Sequence, residues 1–178
     1  MYPFLRVFWT LQSAKSRPKL SWDDVGILST SVHLTDLDIY GEMNNARYLN
    51  IMEMGRWDLG VRTGLLPVMK KYNWFFTVAG FSMRYRKRLT AFQKFEVHTQ
   101  LAGMDDRWLF MHQDIFRDGV QHTGALFRTA VLSKQGIVPP QKLFEEMGVP
   151  WQPQMPDWIL DWDKSDVARP WKKVTGTS

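Results

Sequence analysis

One long helix followed by four strand-like segments with no helix between them is the pattern that most constrains how this 178-residue chain can fold. From Asn45 to about Thr63, Leu49, Met52, Gly55, Leu59 and Arg62 descend one side at helical spacing, and Tyr48, Ile51 and Met54 widen the apolar arc past half the circumference. A helix of this kind has to be largely surrounded by protein. Gly64 fits its C-terminal cap and Pro67 blocks its continuation. Gly55 and Gly60 each cost about 1 kcal/mol relative to alanine inside a helix, so they imply close backbone approach to something flat. A strand over GILSTSVHLT precedes the helix, and segments 74–89, 92–104, 107–119 and 120–136, rich in aromatic and β-branched residues, follow it. Asp105-Asp106 and the hairpin signal Asp118-Gly119 separate these segments. The order excludes alternating βαβ units and predicts an α+β domain in which an antiparallel sheet wraps the helix.

Three parts are expected: an arm or docking helix at 1–20, the domain at 21–148, and a tail at 149–178. The tail carries Trp151, Trp158, Trp162 and Trp171, and tryptophans this dense pack over a surface rather than stand in water. With 44% hydrophobic and 14% aromatic residues, the chain has material for a full core. It has no cysteine, which removes disulfides, a thiol nucleophile and thiolate zinc sites, and fits a reducing, cytoplasmic setting. In the arm, Phe4, Leu5, Phe8, Trp9 and Leu11 precede Lys15, Arg17 and Lys19. This run is too short to span a bilayer. It suits docking on the sheet or on a subunit partner, or weak contact with an anionic membrane surface that would make the protein peripheral.

The helix is entered through TDLDIYGEMNNARYL, residues 35–49. Asparagine is a strong N-cap and aspartate ahead of a helix favours its dipole, so every polar residue here has a structural use. The same residues also suit chemistry. A carboxylate can attack a carbonyl or activate water, and the unpaired N–H groups of a helix start can hold a developing oxyanion.

The order of elements and the segment DLDIYGEMNNARYL resemble the hotdog-fold thioesterase superfamily, in which an antiparallel sheet wraps a long central helix and subunits pair. Members like 4-hydroxybenzoyl-CoA thioesterase carry an Asp-x-Asp, a glycine three residues on and a helix tyrosine; here these are Asp36, Asp38, Gly41 and Tyr48. The plant acyl-ACP thioesterase pattern is matched at Asp38, Asn44 and Asn45, but Tyr40 and Glu42 stand where its asparagine and histidine would be. A closer resemblance is to the branch of small members with MNNARYL itself, over about residues 27–165. The resemblance implies an acyl-CoA thioesterase with no cofactor or metal, with Asp38 as nucleophile or general base and an oxyanion site at Asn44 and Asn45. Gly41, Glu42 and Tyr48 would meet the substrate, and a homodimer or dimer of dimers is expected. A non-catalytic acyl-binding or lipid-binding protein, or a structural hotdog protein, is the alternative.

His33, His98, His112 and His122 lack the close spacing of metal ligands and read as satisfied strand residues. In RYRKRL, Arg84, Arg86 and Arg88 share one face if the strand continues to Leu89. Arginine matches phosphate, so the cluster suits the nucleotide phosphates of coenzyme A; the alternative is a solvated edge strand guarded by charge. The net charge of +5 lacks the broad basic face with interleaved aromatics that nucleic acid would need. Trp74, Phe75, Phe76 and Phe81 suggest an aromatic-lined pocket or core.

Overall fold

The computed structural model describes residues 3–150 and 152–170, so Trp151 and Trp171 of the tail lie outside the described residues. Its elements run α1 (Phe4–Ser16), β1 (Gly26–Ser31), a 3-10 turn (Leu34–Asp36), α2 (Asn45–Arg62), α3 (Leu65–Tyr72), β2 (Phe75–Tyr85), β3 (Lys94–Met104), β4 (Leu109–Arg117), β5 (Val120–Ser133), β6 (Gly136–Val138), α4 (Pro140–Met147) and α5 (Asp157–Val167). The strands form one antiparallel sheet in the order β1-β3-β4-β5-β2, with β6 paired to β5. The chain therefore leaves one edge at β1 and re-enters at the opposite edge as β2, and α2 carries it across the inner face.

That crossing explains the breadth of the helix's apolar arc. Tyr48, Ile51, Met52 and Leu59 pack on Leu28, Val97, Ile115 and Phe127 of the sheet. Gly55 is where helix and sheet come closest: a Cβ there would lie 2.7 Å from Thr99 Oγ1, 3.0 Å from Gln113 Nε2 and 3.1 Å from a Val97 methyl. Gln113 is fully buried and ties the two layers, donating to the Met52 carbonyl at 2.8 Å and to Thr99 Oγ1 at 2.7 Å, while Arg56 donates to its Oε1 at 2.6 Å. Gly60 has a different reason. Its neighbour is Leu66 of α3, 3.2 Å from the position of an added Cβ, and not the sheet.

Several boundaries depart from the pattern read along the chain. Gly64, at φ +84°, does end α2, but Pro67 falls in the first turn of α3, where its missing N–H leaves no helical bond unmade. β2 stops at Tyr85, so Arg86 to Arg88 leave the sheet. The last long strand ends at Ser133 and turns through Lys134 and Gln135 into β6. In the tail, α5 lies on the outer face of the sheet: Ile159 is fully buried against Phe110 and Leu126 with Trp162 beside them. Arg128 of β5 holds this helix by donating to Asp163 at 2.6 Å and Asp166 at 2.8 Å.

At the other end of the chain, α1 packs on α2 through its Thr10 and Ala14 side. Arg17 reaches the buried carboxylate of Asp58 at 2.8 Å, and Arg62 meets the same group at 3.2 Å. The opposite side of α1 leaves Phe4, Leu5, Phe8 and Trp9 exposed. Among the described residues, no helix is long and apolar enough to cross a membrane.

Gly55→Ala tests the close approach. Helix propensity alone favours alanine by about 1 kcal/mol, but the added methyl would overlap Thr99 and Gln113, and overpacking of this kind costs about 1–3 kcal/mol. We expect a net loss of stability in urea melts, whereas a gain would mean that the helix does not lie this close to the sheet.

Candidate active site

The motif ahead of α2 folds into a tight hairpin. The Asp36 carbonyl accepts the Asn44 N–H and the Asp38 N–H donates to the Glu42 carbonyl, both at 2.8 Å; Leu37 and Met43 form the bridge between them. Gly41 closes the turn on the Asp38 carbonyl at 3.1 Å with φ +74°, a left-handed conformation that glycine adopts without strain. An aspartate at the first position of such a turn accepts from the amides that follow, and Asp38 Oδ1 takes Tyr40 N–H at 2.9 Å and Glu42 N–H at 3.3 Å. Both bonds fall on Oδ1; Oδ2 makes none among the described residues.

The hairpin delivers the chain to the first turn of α2 with its amides almost fully assigned. Asn44 N–H is held by Asp36, Ala46 N–H by the Asn44 side chain at 2.9 Å, and Arg47 N–H by the Asn44 carbonyl at 2.8 Å. Asn45 N–H is the first-turn donor left without a partner among the described residues. It sits at the positive end of an 18-residue helix, in an exposed position.

Around this point the structure gathers Asp38, Gly41, Glu42, Asn44, Asn45 and Arg88. Glu42 lies opposite Asp38 across the hairpin and would add a second negative charge beside it, but Arg88 pairs with Glu42 at 2.7 Å. Tyr48 is buried one turn into α2, edge-on to Tyr85, whose hydroxyl reaches the Asn45 carbonyl at 3.5 Å. Arg84 and Arg86 do not join the group. They line a cleft of ≈ 330 Å³ on the outer face of the sheet, so the expectation of one face for all three arginines is corrected: Arg88 leaves the strand and turns to Glu42.

A second cavity, ≈ 230 Å³, lies between α2, α3, α4 and the sheet, walled by Trp57, Met69, Phe76, Leu101, Met111 and Phe144. Trp57 Nε1 is buried there without a partner. Of the four aromatic residues expected to line a pocket, Phe76 does so; Trp74 is buried in the core, and Phe75 and Phe81 are exposed on β2. The histidines are engaged separately. His98 meets Glu96 at 3.0 Å, His112 meets Asp114 at 3.5 Å, and His122 Nδ1 meets the Arg88 carbonyl at 3.2 Å, while the His33 N–H donates to Asp36. Among the described residues no three metal-ligating side chains cluster.

A family model described as the thioesterase-like superfamily matches residues 32–162, most of the chain. The chain belongs to the thioesterase-like superfamily. The helix wrapped by an antiparallel sheet is accordingly the hotdog fold of these proteins. Protein THEM6 of Xenopus laevis is 28% identical over 133 residues, which is 72% of this chain and 62% of that protein. This thioesterase-like chain spans only about half to three-fifths of the curated relatives called THEM6. The long-chain acyl-CoA thioesterase FadM of Escherichia coli is 30% identical over 71 residues, 40% of this chain and 54% of that protein. The solved structure of the probable thioesterase YbaW of Escherichia coli superposes with a TM-score of 0.62 at 23% identity, covering 68% of this chain and 97% of that one.

Tyr48 of this superfamily member is buried, 3% exposed, one turn into α2. Burial pushes its phenol up to about 12, with its bond to the Leu89 main chain pulling the other way. Between the ordinary tyrosine value of about 10 and 12, the folded chain holds a proton that the unfolded chain has lost, so stability falls as pH rises through that window and is unaffected below it. Tyr48→Phe should flatten this alkaline loss in urea melts at pH 8, 10 and 11.5; a wild-type slope in the variant would mean that the phenol is not sealed.

Proposed function

We propose that this chain hydrolyses an acyl-CoA thioester to the free acid and coenzyme A. The observation that carries the reading is the placement of Asp38 on the hairpin that leads directly into Asn45 N–H, the first-turn amide left unpartnered among the described residues. The thioester carbonyl oxygen would accept from Asn45 N–H, where the helix dipole favours the negative charge that grows in the transition state. Asp38 Oδ2 would then take a proton from a water whose oxygen adds to the carbonyl carbon, or would attack that carbon itself to give an acyl-aspartyl anhydride that water hydrolyses; in either course the C–S bond breaks, the coenzyme A thiolate takes up the proton released, and the free acid leaves. Superfamily membership and the relative named as a long-chain acyl-CoA thioesterase support this chemistry.

The apolar cavity supports a long acyl group. Glu53, the first residue of α2 that lines the cavity, is eight residues beyond Asn45, about 12 Å along the axis. A short acyl group held at Asn45 would not reach it. The second reading, acyl binding without hydrolysis, draws on the structural use of Asp38, whose Oδ1 holds two turn amides whether or not chemistry follows.

Two substitutions separate the readings. Asp38→Asn keeps a carbonyl oxygen for the Tyr40 and Glu42 amides but removes the carboxylate, whereas Asp38→Ala loses both. We expect Asp38→Asn to lower kcat by at least about 100-fold, the usual range for a lost acid–base group, with a melting temperature within a few degrees of wild type. Asp38→Ala should lose activity and also stability. Full activity in Asp38→Asn would remove Asp38 from the mechanism.

Assembly and membrane contact belong to the same proposal. Among the described residues β2 is an 11-residue unpaired edge that exposes Phe75, Val78 and Phe81, and a long apolar edge of this kind invites strand pairing. We propose that two copies join edge to edge there. Light scattering should show twice the chain mass, and Val78→Lys should shift the protein towards the monomer. The exposed face of α1, with Phe4 at 72%, Leu5 at 76% and Trp9 at 67% exposure beside Lys15 and Lys19, would rest on an anionic bilayer. Flotation with anionic liposomes, and its loss in Phe8→Glu with Trp9→Glu, is the outcome expected.

A further inference from the structure

The outer cleft between the end of β2 and α5 is built from parts that the hydrolytic site does not use. Ser82 and Arg84 face outwards from β2, Arg86 follows at its end, Gln121 and Leu126 come from β5, and Trp158 with Trp162 closes the far side from α5. Arg84 and Arg86 have no acidic partner among the described residues, although Arg88, two residues on, is paired. Asp114 of β4 is already engaged: Gln121 donates to its Oδ1 at 2.6 Å and His112 approaches its Oδ2 at 3.5 Å. Asp163 and Asp166 are likewise taken by Arg128. Two uncommitted guanidinium groups thus face a half-exposed indole, Trp158 at 51% exposure, whose edge contact with His112 at 5.7 Å fixes its tilt.

This combination is selective in chemical terms. Guanidinium forks match phosphate oxygens two at a time, and an exposed indole face stacks on a purine base. A cleft of ≈ 330 Å³ with both features fits a phosphorylated nucleotide better than an inorganic anion, which would leave the indole unused. Position adds the second argument. Arg84 lies four residues before Arg88, at most about 13 Å of extended chain, and Arg88 is bonded to Glu42 on the Asp38 hairpin. A flexible arm could therefore join a thioester at Asn45 to a nucleotide in the cleft by passing round the end of β2.

The geometry points to this outer cleft as the seat of the adenosine 3′,5′-bisphosphate end of the acyl-CoA, with Arg84 and Arg86 on the phosphates and Trp158 against the adenine. The inference rests on the acyl-CoA reading above and adds a subsite built partly by α5. In this arrangement the phosphates and adenine meet the outer face of the sheet while the acyl group enters the inner face. Arg84, Arg86 and Trp158 hold the substrate by its non-reacting end, so they should govern binding and leave the chemical step alone.

The test uses the full chain and two kinds of probe. Adenosine 3′,5′-bisphosphate and coenzyme A should quench tryptophan fluorescence in the wild-type protein. The double variant Arg84→Ala with Arg86→Ala, and separately Trp158→Ala, should weaken their binding at least 10-fold without moving the melting temperature. In turnover, the double variant should raise KM for an acyl-CoA at least 10-fold with kcat unchanged, and should leave hydrolysis of the same acyl group on N-acetylcysteamine as in wild type. Wild-type affinity for the bisphosphate and for coenzyme A in the double variant overturns the cleft assignment, as does an equal loss on the truncated thioester. The two readings fail separately: bisphosphate binding that depends on Arg84 and Arg86 stands even if no thioester is hydrolysed, and hydrolysis with an unaltered KM in the double variant overturns the cleft alone.

Discussion

The buried carboxylate of Asp36 is the interaction on which the rest of the site depends. An ion this enclosed would cost several kcal/mol if it were alone, and its side chain is only 4% exposed. It is compensated from three directions: Arg6 of α1 at 2.7 Å, Arg47 of α2 at 4.0 Å, and the His33 N–H at 2.9 Å. Its own carbonyl then receives Asn44 N–H, the last amide before the helix. One residue therefore fixes where α1 docks, how the hairpin leaves the 3-10 turn and where α2 begins. Asp38, two residues on, is left half-exposed with one oxygen uncommitted because Asp36 and the turn amides have already set the backbone around it.

Position 42 shows how a departure from a familiar pattern can be absorbed locally. A glutamate directly across the hairpin from Asp38 places two acidic side chains side by side. Arg88, beyond the end of β2, pairs with Glu42. The end of β2 divides the arginine cluster between two faces of the sheet. That division separates the parts proposed for hydrolysis from the outer cleft proposed for the nucleotide.

Much of this architecture was legible along the chain, because it rests on local chemistry. The breadth of the apolar arc on residues 45–63, Gly55, and the uninterrupted strands require a helix enclosed by an antiparallel sheet, and the asparagine cap and the glycine turn fix the approach to it. What was hidden depended on distant partners. α5 keeps Ile159 and Trp162 on the stripe facing the sheet, but the next two positions on that stripe are Asp163 and Asp166, so its apolar period is broken by acids whose partner, Arg128, lies 35 residues upstream of the first of them. α3 was masked by Pro67, which reads as a stop until the register shows that it occupies a first turn. Asp36 and Asp38 look equivalent in DLD; only the positions of Arg6 and Arg47 make one of them a structural ion. The end of β2 is set where the Arg86 and Lys87 amides both turn to the His122 carbonyl of β5, and the partner of Arg88, Glu42, lies on the distant hairpin; neither is visible within RYRKRL.

The proposed chemistry is tested most directly by thiol release from a panel of acyl-CoAs, from short to long aliphatic chains and including an aromatic acyl group, with the unmodified protein. The account predicts release of free coenzyme A with kcat/KM rising as the chain lengthens towards the cavity beside Trp57 and Met111. No release above the uncatalysed rate from any member of the panel would contradict it and leave the fold as a binding scaffold.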